Sequence, residues 1–297
     1  MYRFTGRTRC IFRTAMCCTV GIALLFLTGC VKPVVVHRDQ EQGLQPSFSA
    51  EELENRIEQF NQRRDSIKTF TMSLTMSISR VNQRLSLSKC FHCEAVCDVP
   101  NRFRMKGYAG GTVPAFDLLM KSRKIQLYLP TRNELIRGTR SRFKNLAIVK
   151  KHGISAVLDA NLADLFVQKL PSKEIFWEAT ADGIWLYSDI SHSHSWQRTL
   201  LDFKTFLPVR QEVFSRTGQM LLEVQFADYR QVEQTYCPFK LDISSTIDNF
   251  MIKIVIGSVR ANIPIAGGAF SIHVPDDVTK VPPRQVETKI QESPDSP

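Results

Sequence analysis

The sequence predicts an α+β protein: a half-open antiparallel β-barrel, in effect a strongly curled sheet, with helices covering its concave face. Three observations predict it. Between about residues 68 and 275, most segments alternate apolar and polar residues with a period of two, as strands with one dry and one wet face do. Turn signals such as Thr217-Gly218 separate neighbouring strands at hairpin spacing. Two stretches alone carry apolar residues at helical spacing, and a sheet of this size twists and curls.

In chain order, Ser49-Ala50-Glu51-Glu52 is a capping box, with a hydroxyl at the cap and a carboxylate three residues on. Leu53, Ile57 and Phe60 follow at helical spacing, predicting a helix that ends near Ile67. Phe70, Met72, Leu74, Met76 and Ile78 then alternate with Thr and Ser, the pattern of a half-buried strand. Further strands are predicted at Arg102–Lys106, Ile125–Leu129, Gly183–Ser188, Val209–Ser215, Met220–Phe226, Phe239–Ser244 and Met251–Arg260. Asn161–Leu170 forms the second helical stretch, with Leu162, Leu165, Phe166 and Leu170 on one face and Pro171 to stop it. Phe270, Ile272, Val274 and Pro275 predict a last edge strand.

The amino terminus carries a different signal. Arg3, Arg7, Arg9 and Arg13 precede an uncharged run from Ala15 to Gly29. That run is shorter than the roughly 20 residues of a bilayer span and suits a secretory leader. It ends in Leu27-Thr28-Gly29-Cys30, a pattern that resembles a bacterial lipobox, which implies cleavage before Cys30 and its acylation, for example with palmitate. The expected organisation is a leader over 1–29, a lipidated terminus and tether over 30–47, a folded domain over 48–280 and a Pro-rich tail over 281–297. Cys10, Cys17 and Cys18 leave with the leader. Val31 follows the lipobox where the enterobacterial pattern for inner-membrane retention has aspartate, which implies an outer-membrane anchor facing the periplasm.

Composition excludes several classes. The 297 residues are 43% hydrophobic and 23% charged, values unlike collagen, coiled coils or wholly disordered chains. Net charge is +10, but no basic run concentrates it, so no nucleic-acid partner is expected. No Gly-x-Ser-x-Gly, His-Glu-x-x-His or phosphate loop occurs, so the expectation is no enzyme and no cofactor. His192 and His194 have a spacing that permits a metal but reads more simply as a solvated loop. For Cys90, Cys93, Cys97 and Cys237 three readings stay open: thiols on a dry face or a bridge to Cys237, a local disulfide in a broken strand, or a metal site. With the strand intact, Cys93 and Cys97 share a face yet lie about 13 Å apart, too far to pair.

Alternation also nominates a ligand cavity. Met72, Leu74 and Met76 fall on one side of their strand, Phe103 and Met105 on one side of the next, and Leu222, Val224 and Phe226 on one side of a later hairpin. A curled sheet turns these sets towards a common interior, and methionine suits irregular apolar ligands. Plain core packing is the competing reading.

Several segments resemble the LolA/LolB-type lipoprotein-localisation factors, closest to LolB-like outer-membrane lipoproteins. They are Val99-Pro100-Asn101-Arg102-Phe103-Arg104-Met105; Phe116-Asp117-Leu118-Leu119 to Leu127-Tyr128-Leu129-Pro130; and Leu207-Pro208-Val209-Arg210-Gln211-Glu212 with Val224 to Arg230 and Pro238. The resemblance implies an apolar cavity for acyl chains or the lipid group of lipoproteins, and membrane attachment through the N-terminal lipid. Two positions depart from the pattern. Val99 replaces the arginine that latches the lid helix in soluble carriers, and the loop Gly107 to Val113 lacks the membrane-contacting leucine of LolB-type members. The alternative function is an envelope sensor or scaffold that uses the fold for protein contacts.

Overall fold

A computed structural model describes residues 49–80, 88–139, 142–143, 162–171, 176–190, 195–247 and 249–281. The leader, Cys30 and its tether, His192 and His194, and the Pro-rich tail lie outside the described residues.

Helix α1 spans Ala50–Asp65, and the Ser49 hydroxyl accepts the Glu52 N–H at 3.1 Å. Glu51 and Glu52 occupy its first turn and Arg63 and Arg64 its last, so both ends complement the helix dipole. A first meander follows: β1 (Thr69–Arg80), β2 (Lys89–Asp98), β3 (Arg102–Ala109), β4 (Val113–Lys121), β5 (Lys124–Leu129) and β6 (Glu134–Thr139). After the short helix α2 (Leu162–Phe166) comes a second: β7 (Phe176–Thr180), β8 (Gly183–Ile190), β9 (Ser195–Leu201), β10 (Pro208–Ser215), β11 (Met220–Val232), β12 (Thr235–Ser245) and β13 (Phe250–Ala261). β14 (Thr279–Val281) ends the described chain.

The 14 strands of the described residues form one sheet, ordered β14-β6-β5-β4-β3-β2-β1-β13-β12-β11-β10-β9-β8-β7. β1 sits where the two meanders meet, paired to β2 on one side and to β13 on the other. Pairing is antiparallel throughout except where β14 runs parallel to β6. β14 and β7 each have a single strand neighbour, so among the described residues the sheet does not close on itself.

Register carries one apolar face across the sheet. Met72 is partnered by Ala95, Ala95 by Met105, Met105 by Leu118, Leu118 by Leu127 and Leu127 by Ile136. In the other direction Met76 meets Ile254, Ile254 meets Leu241 and Leu241 meets Phe226. Directly opposed residues share a face, so a period of two in each strand becomes a continuous apolar surface. Leu165, Phe166 and Val167 join the same buried cluster, and the Phe166 ring lies 5.0 Å from that of Phe70. Leu53 and Ile57 of α1 share a second cluster with Ile184, Leu186 and Leu201.

Three expectations need correction. The predicted edge strand at Phe270–Pro275 is absent; Gly267–Phe270 is a 3₁₀ turn, and residues 271–275 are irregular. The turn packs instead on the opposite face of the sheet: Arg104 donates to the Ala269 carbonyl at 2.9 Å and the Arg102 guanidinium stacks over Phe270, which is buried, at 4.4 Å. The second helix is shorter than Asn161–Leu170 and stops at Phe166. Asn61 supplies the reason, since its side chain takes the Leu170 N–H (2.8 Å) and donates to the Leu170 carbonyl (2.9 Å), engaging groups that a continued helix would use. Alternation also left β4, β6, β7, β9 and β14 unassigned; in Phe176–Thr180 and Ser195–Leu201 aromatic and charged side chains mix on one face.

Candidate functional site

The eight residues nominated from alternation come together. Met72, Leu74, Met76, Phe103, Met105, Leu222, Val224 and Phe226 are all buried in one cluster on the apolar face. None of them lines the recess that opens on that face. The recess lies one row further along β1, with a volume of about 520 Å³ and walls made by Ile78, Phe91, Ala109, Ala115, Phe116 and Leu129. Its size falls within the roughly 300–1,000 Å³ of small-ligand pockets. Register explains the neighbourhood: Met76 is paired with Phe91 and Phe91 with Ala109, so the wall continues the packed core outwards.

Gly107 shapes this wall. It lies opposite Phe116 and Cys93, and a Cβ built on it would stand 2.2 Å from the Phe116 ring. Without a side chain, Gly107 lets that ring lie across the strand, where it meets Phe91 edge-on at 5.6 Å. Gly110 and Gly111, at φ 59° and 85°, then turn the β3–β4 hairpin. Lys89, Cys90, Thr131 and Arg132 complete the lining.

Other depressions are present among the described residues. A groove of about 630 Å³ runs along α1, lined by Glu51, Glu52, Arg56 and Arg63 and the Thr205–Leu207 loop together with Phe60 and Tyr236. A depression of about 760 Å³ is lined by Arg210, Lys240, Asp242 and Lys253 and also by Leu200, Val209, Phe226, Ile254 and Val255, so Phe226 of the nominated set borders it. Both of these mix charged with apolar walls, and their charged groups hold water. The Phe91–Phe116 recess has Lys89 and Arg132 as its charged lining residues and is otherwise mostly apolar, which suits an apolar ligand.

Beyond the core, polar contacts tie α2 and the following turn to α1. Arg64, 1% exposed, donates from Nη1 to the Phe166 carbonyl and to Cys237 Sγ, each at 3.1 Å. Its guanidinium stacks over Phe60 at 4.9 Å, and burial pulls its pKa down from the usual arginine value. Lys169 pairs with Asp65 at 2.5 Å, and Gln168 donates to Gln211 of β10, which donates to Gln197 of β9. Sequence reasoning missed Arg64, although a signal was there. It continues the buried stripe of Leu53 and Ile57, so a charge stands at a core position of α1. Through the Phe166 carbonyl it ties α1 to the last residue of α2.

The thiols sort by face. Cys93 and Cys97 are buried on the apolar face and Cys90 is exposed, as an unbroken β2 requires. All four described cysteines are free thiols. Burial pushes the Cys93 and Cys97 thiols up to about 12, so both stay protonated at neutral pH.

Against solved structures the likeness is extensive at low identity. A DUF1329 family protein from Desulfovibrio piger matches at 13% identity over 74% of this chain and 94% of its own, with TM-score 0.51. A protein from Vibrio parahaemolyticus, described as an outer membrane lipoprotein-sorting protein domain, matches at 12% over 73% and 95%, TM-score 0.51. A LolA superfamily protein from Nitrosomonas europaea matches at 10% over 73% and 97%, TM-score 0.50. The fold is of the LolA type. No protein-family model matches the sequence, and no curated protein does. The LolA-type likeness spans most of this chain, and at these identities it describes the fold. No helix of the described residues is long and apolar enough to cross a membrane.

Proposed function

We propose that this chain is a lipid-anchored envelope protein that binds an acyl chain, or the lipid group of a lipoprotein, against the apolar face of a half-open, curled sheet. In this reading α1 and α2 cover the concave side, and the outer membrane carries the protein facing the periplasm. Its mechanism is reversible burial of apolar chains without covalent chemistry. The observation that carries the reading is the recess walled by Ile78, Phe91, Ala109, Ala115, Phe116 and Leu129, because an acyl chain in water is costly and a dry wall offsets that cost. The LolA-type fold, which a lipoprotein-sorting domain shares, adds support.

The test is binding of a fluorescent fatty acid to the full protein with and without Ala115→Trp. An indole at a half-exposed wall position fills the recess from its own side. We expect affinity to fall at least about tenfold, the equivalent of about 1.4 kcal/mol, with the melting temperature nearly unchanged. A variant that melts like wild type and binds as tightly would remove the recess from the ligand site.

The anchor has its own test. Cys30→Ser is expected to leave the leader uncleaved and the protein unlabelled by palmitate. Labelling at the wild-type level would end the lipobox reading.

A second reading is an envelope sensor or scaffold that uses the fold for protein contacts. One feature favours it: β7 is an edge strand, and its Phe176 is 68% exposed beside Tyr187. Lipid co-purifying with the protein supports the first reading; an empty protein that captures a periplasmic partner supports the second.

A further inference from the structure

The recess has two dimensions that constrain what fits it. Five neighbouring strands supply its walls: Ile78 on β1, Phe91 on β2, Ala109 on β3, Ala115 and Phe116 on β4, and Leu129 at the end of β5. Strands in a sheet lie about 4.8 Å apart, so the four steps from β1 to β5 make a trough of about 19 Å running across them. An all-trans acyl chain advances about 1.25 Å per carbon, given C–C bonds of about 1.5 Å, so about 16 carbons cover that length. The volume, about 520 Å³, gives the same answer: at roughly the 30 Å³ that a water takes up in the liquid, about 17 methylenes fill it. The core side of the trough is packed. Register sets Leu74 opposite Cys93 and Cys93 opposite Gly107, and Leu74, Cys93, Leu118 and Leu127 are fully buried. A second chain laid beside the first would have to displace these residues.

From these dimensions we infer that the recess takes one acyl chain of palmitoyl length, laid across the strands from β1 to β5, and that the ligand is a single-chain amphiphile. The inference rests on the acyl-binding reading proposed above and narrows it. The lipid group of a lipoprotein carries two chains on its glyceryl unit and a third once its amine is acylated. Those chains need about two to three times the room that the recess offers. A single chain instead fills the trough along its length and leaves its head in water. Each buried methylene raises affinity by up to about fourfold, and a carbon beyond the end of the trough adds nothing. Two sources supply such a chain, a free fatty acid and a lysophospholipid.

Displacement of a fluorescent fatty acid from the full protein tests this, with saturated fatty acids and lysophosphatidylcholines of about 8 to about 20 carbons as competitors. We expect affinity in both series to climb with length and level off at about 16 carbons, and the tighter series at that length identifies the source. A peptide with one N-palmitoyl cysteine is expected to compete at least about tenfold better than the same peptide with three palmitoyl chains. Ala109 stands half-buried on the middle strand, so Ala109→Phe is expected to shorten the plateau to about 8 carbons, with the melting temperature confirming a folded variant. If that variant unfolds, the wild-type series decides alone. Three results each overturn the single-chain trough and leave the acyl reading standing: affinity that climbs through the longest competitors, a three-chain peptide that competes as well as the one-chain form, or a folded Ala109→Phe protein with an unchanged plateau. Failure of the fluorescent fatty acid and every competitor to bind overturns both.

Discussion

Met105→Glu is expected to unfold the protein at physiological temperature. Met105 is 1% exposed, between Ala95 on β2 and Leu118 on β4, and its row runs from β1 to β6 without a polar side chain. A carboxylate there has no cation or donor to compensate it, and burying an unpaired polar group costs several kcal/mol. Domains are stable by only about 5–15 kcal/mol, so one such change consumes much of the margin. Thermal denaturation followed by circular dichroism measures the effect, with Met105→Leu as the volume-conserving control at less than about 1.5 kcal/mol. A Met105→Glu protein that melts within a few degrees of wild type would mean that this row is hydrated and the interior open. The contrast with Ala115→Trp is the point: the same face is packed solid at Met105 and open at the recess, and the two substitutions separate folding from binding.

Asp117→Ala is the second large expected effect. Asp117 and Arg104 form a two-point ion pair on the opposite face of the sheet, Nε to Oδ1 at 2.9 Å and Nη2 to Oδ2 at 2.6 Å. Both side chains are nearly covered, at 10% and 12% exposure, because the Gly267–Phe270 turn lies over them. Removing the carboxylate leaves a covered guanidinium with the Ala269 carbonyl, at 2.9 Å, as its acceptor among the described residues, at a cost of about 3 kcal/mol, the low end for breaking a buried pair. For a domain of this size that lowers the melting temperature by roughly 6–12 °C. Replacing both partners, Arg104→Met with Asp117→Leu, is expected to recover most of the loss, because it leaves no charge to desolvate. A single Asp117→Ala variant as stable as wild type would show that water reaches Arg104 beneath the turn.

Much of this architecture was legible in residue order. The period of two in Phe70–Ile78 is a local property, and it survives into the structure as the buried row of β1. The Ser49 cap and the Leu53–Ile57 stripe likewise need only neighbours within one helical turn, and α1 begins where they place it. The alternation that put Cys93 and Cys97 on one side and Cys90 on the other holds because β2 is unbroken. Phe270–Pro275 misled because apolar spacing reports burial, not the partner that buries it. There the partner is the outside of β3 and β4, reached through Arg104 and Arg102.

Residue order by itself therefore determined which side of each long strand is dry, where α1 starts and which thiols face inwards, since these follow from periodicities of two and 3.6 residues along the chain. Tertiary structure alone decided that β13 returns to pair with β1 and join two meanders into one sheet. It also decided that Gly107 leaves room for the Phe116 ring, and that β2, β4 and the turn after β5 wall one recess. Those outcomes depend on contacts between residues tens to hundreds of positions apart, whose register no local pattern encodes. The same eight apolar residues are compatible with an open cavity or a packed core, and the difference lies in what packs against them across the sheet.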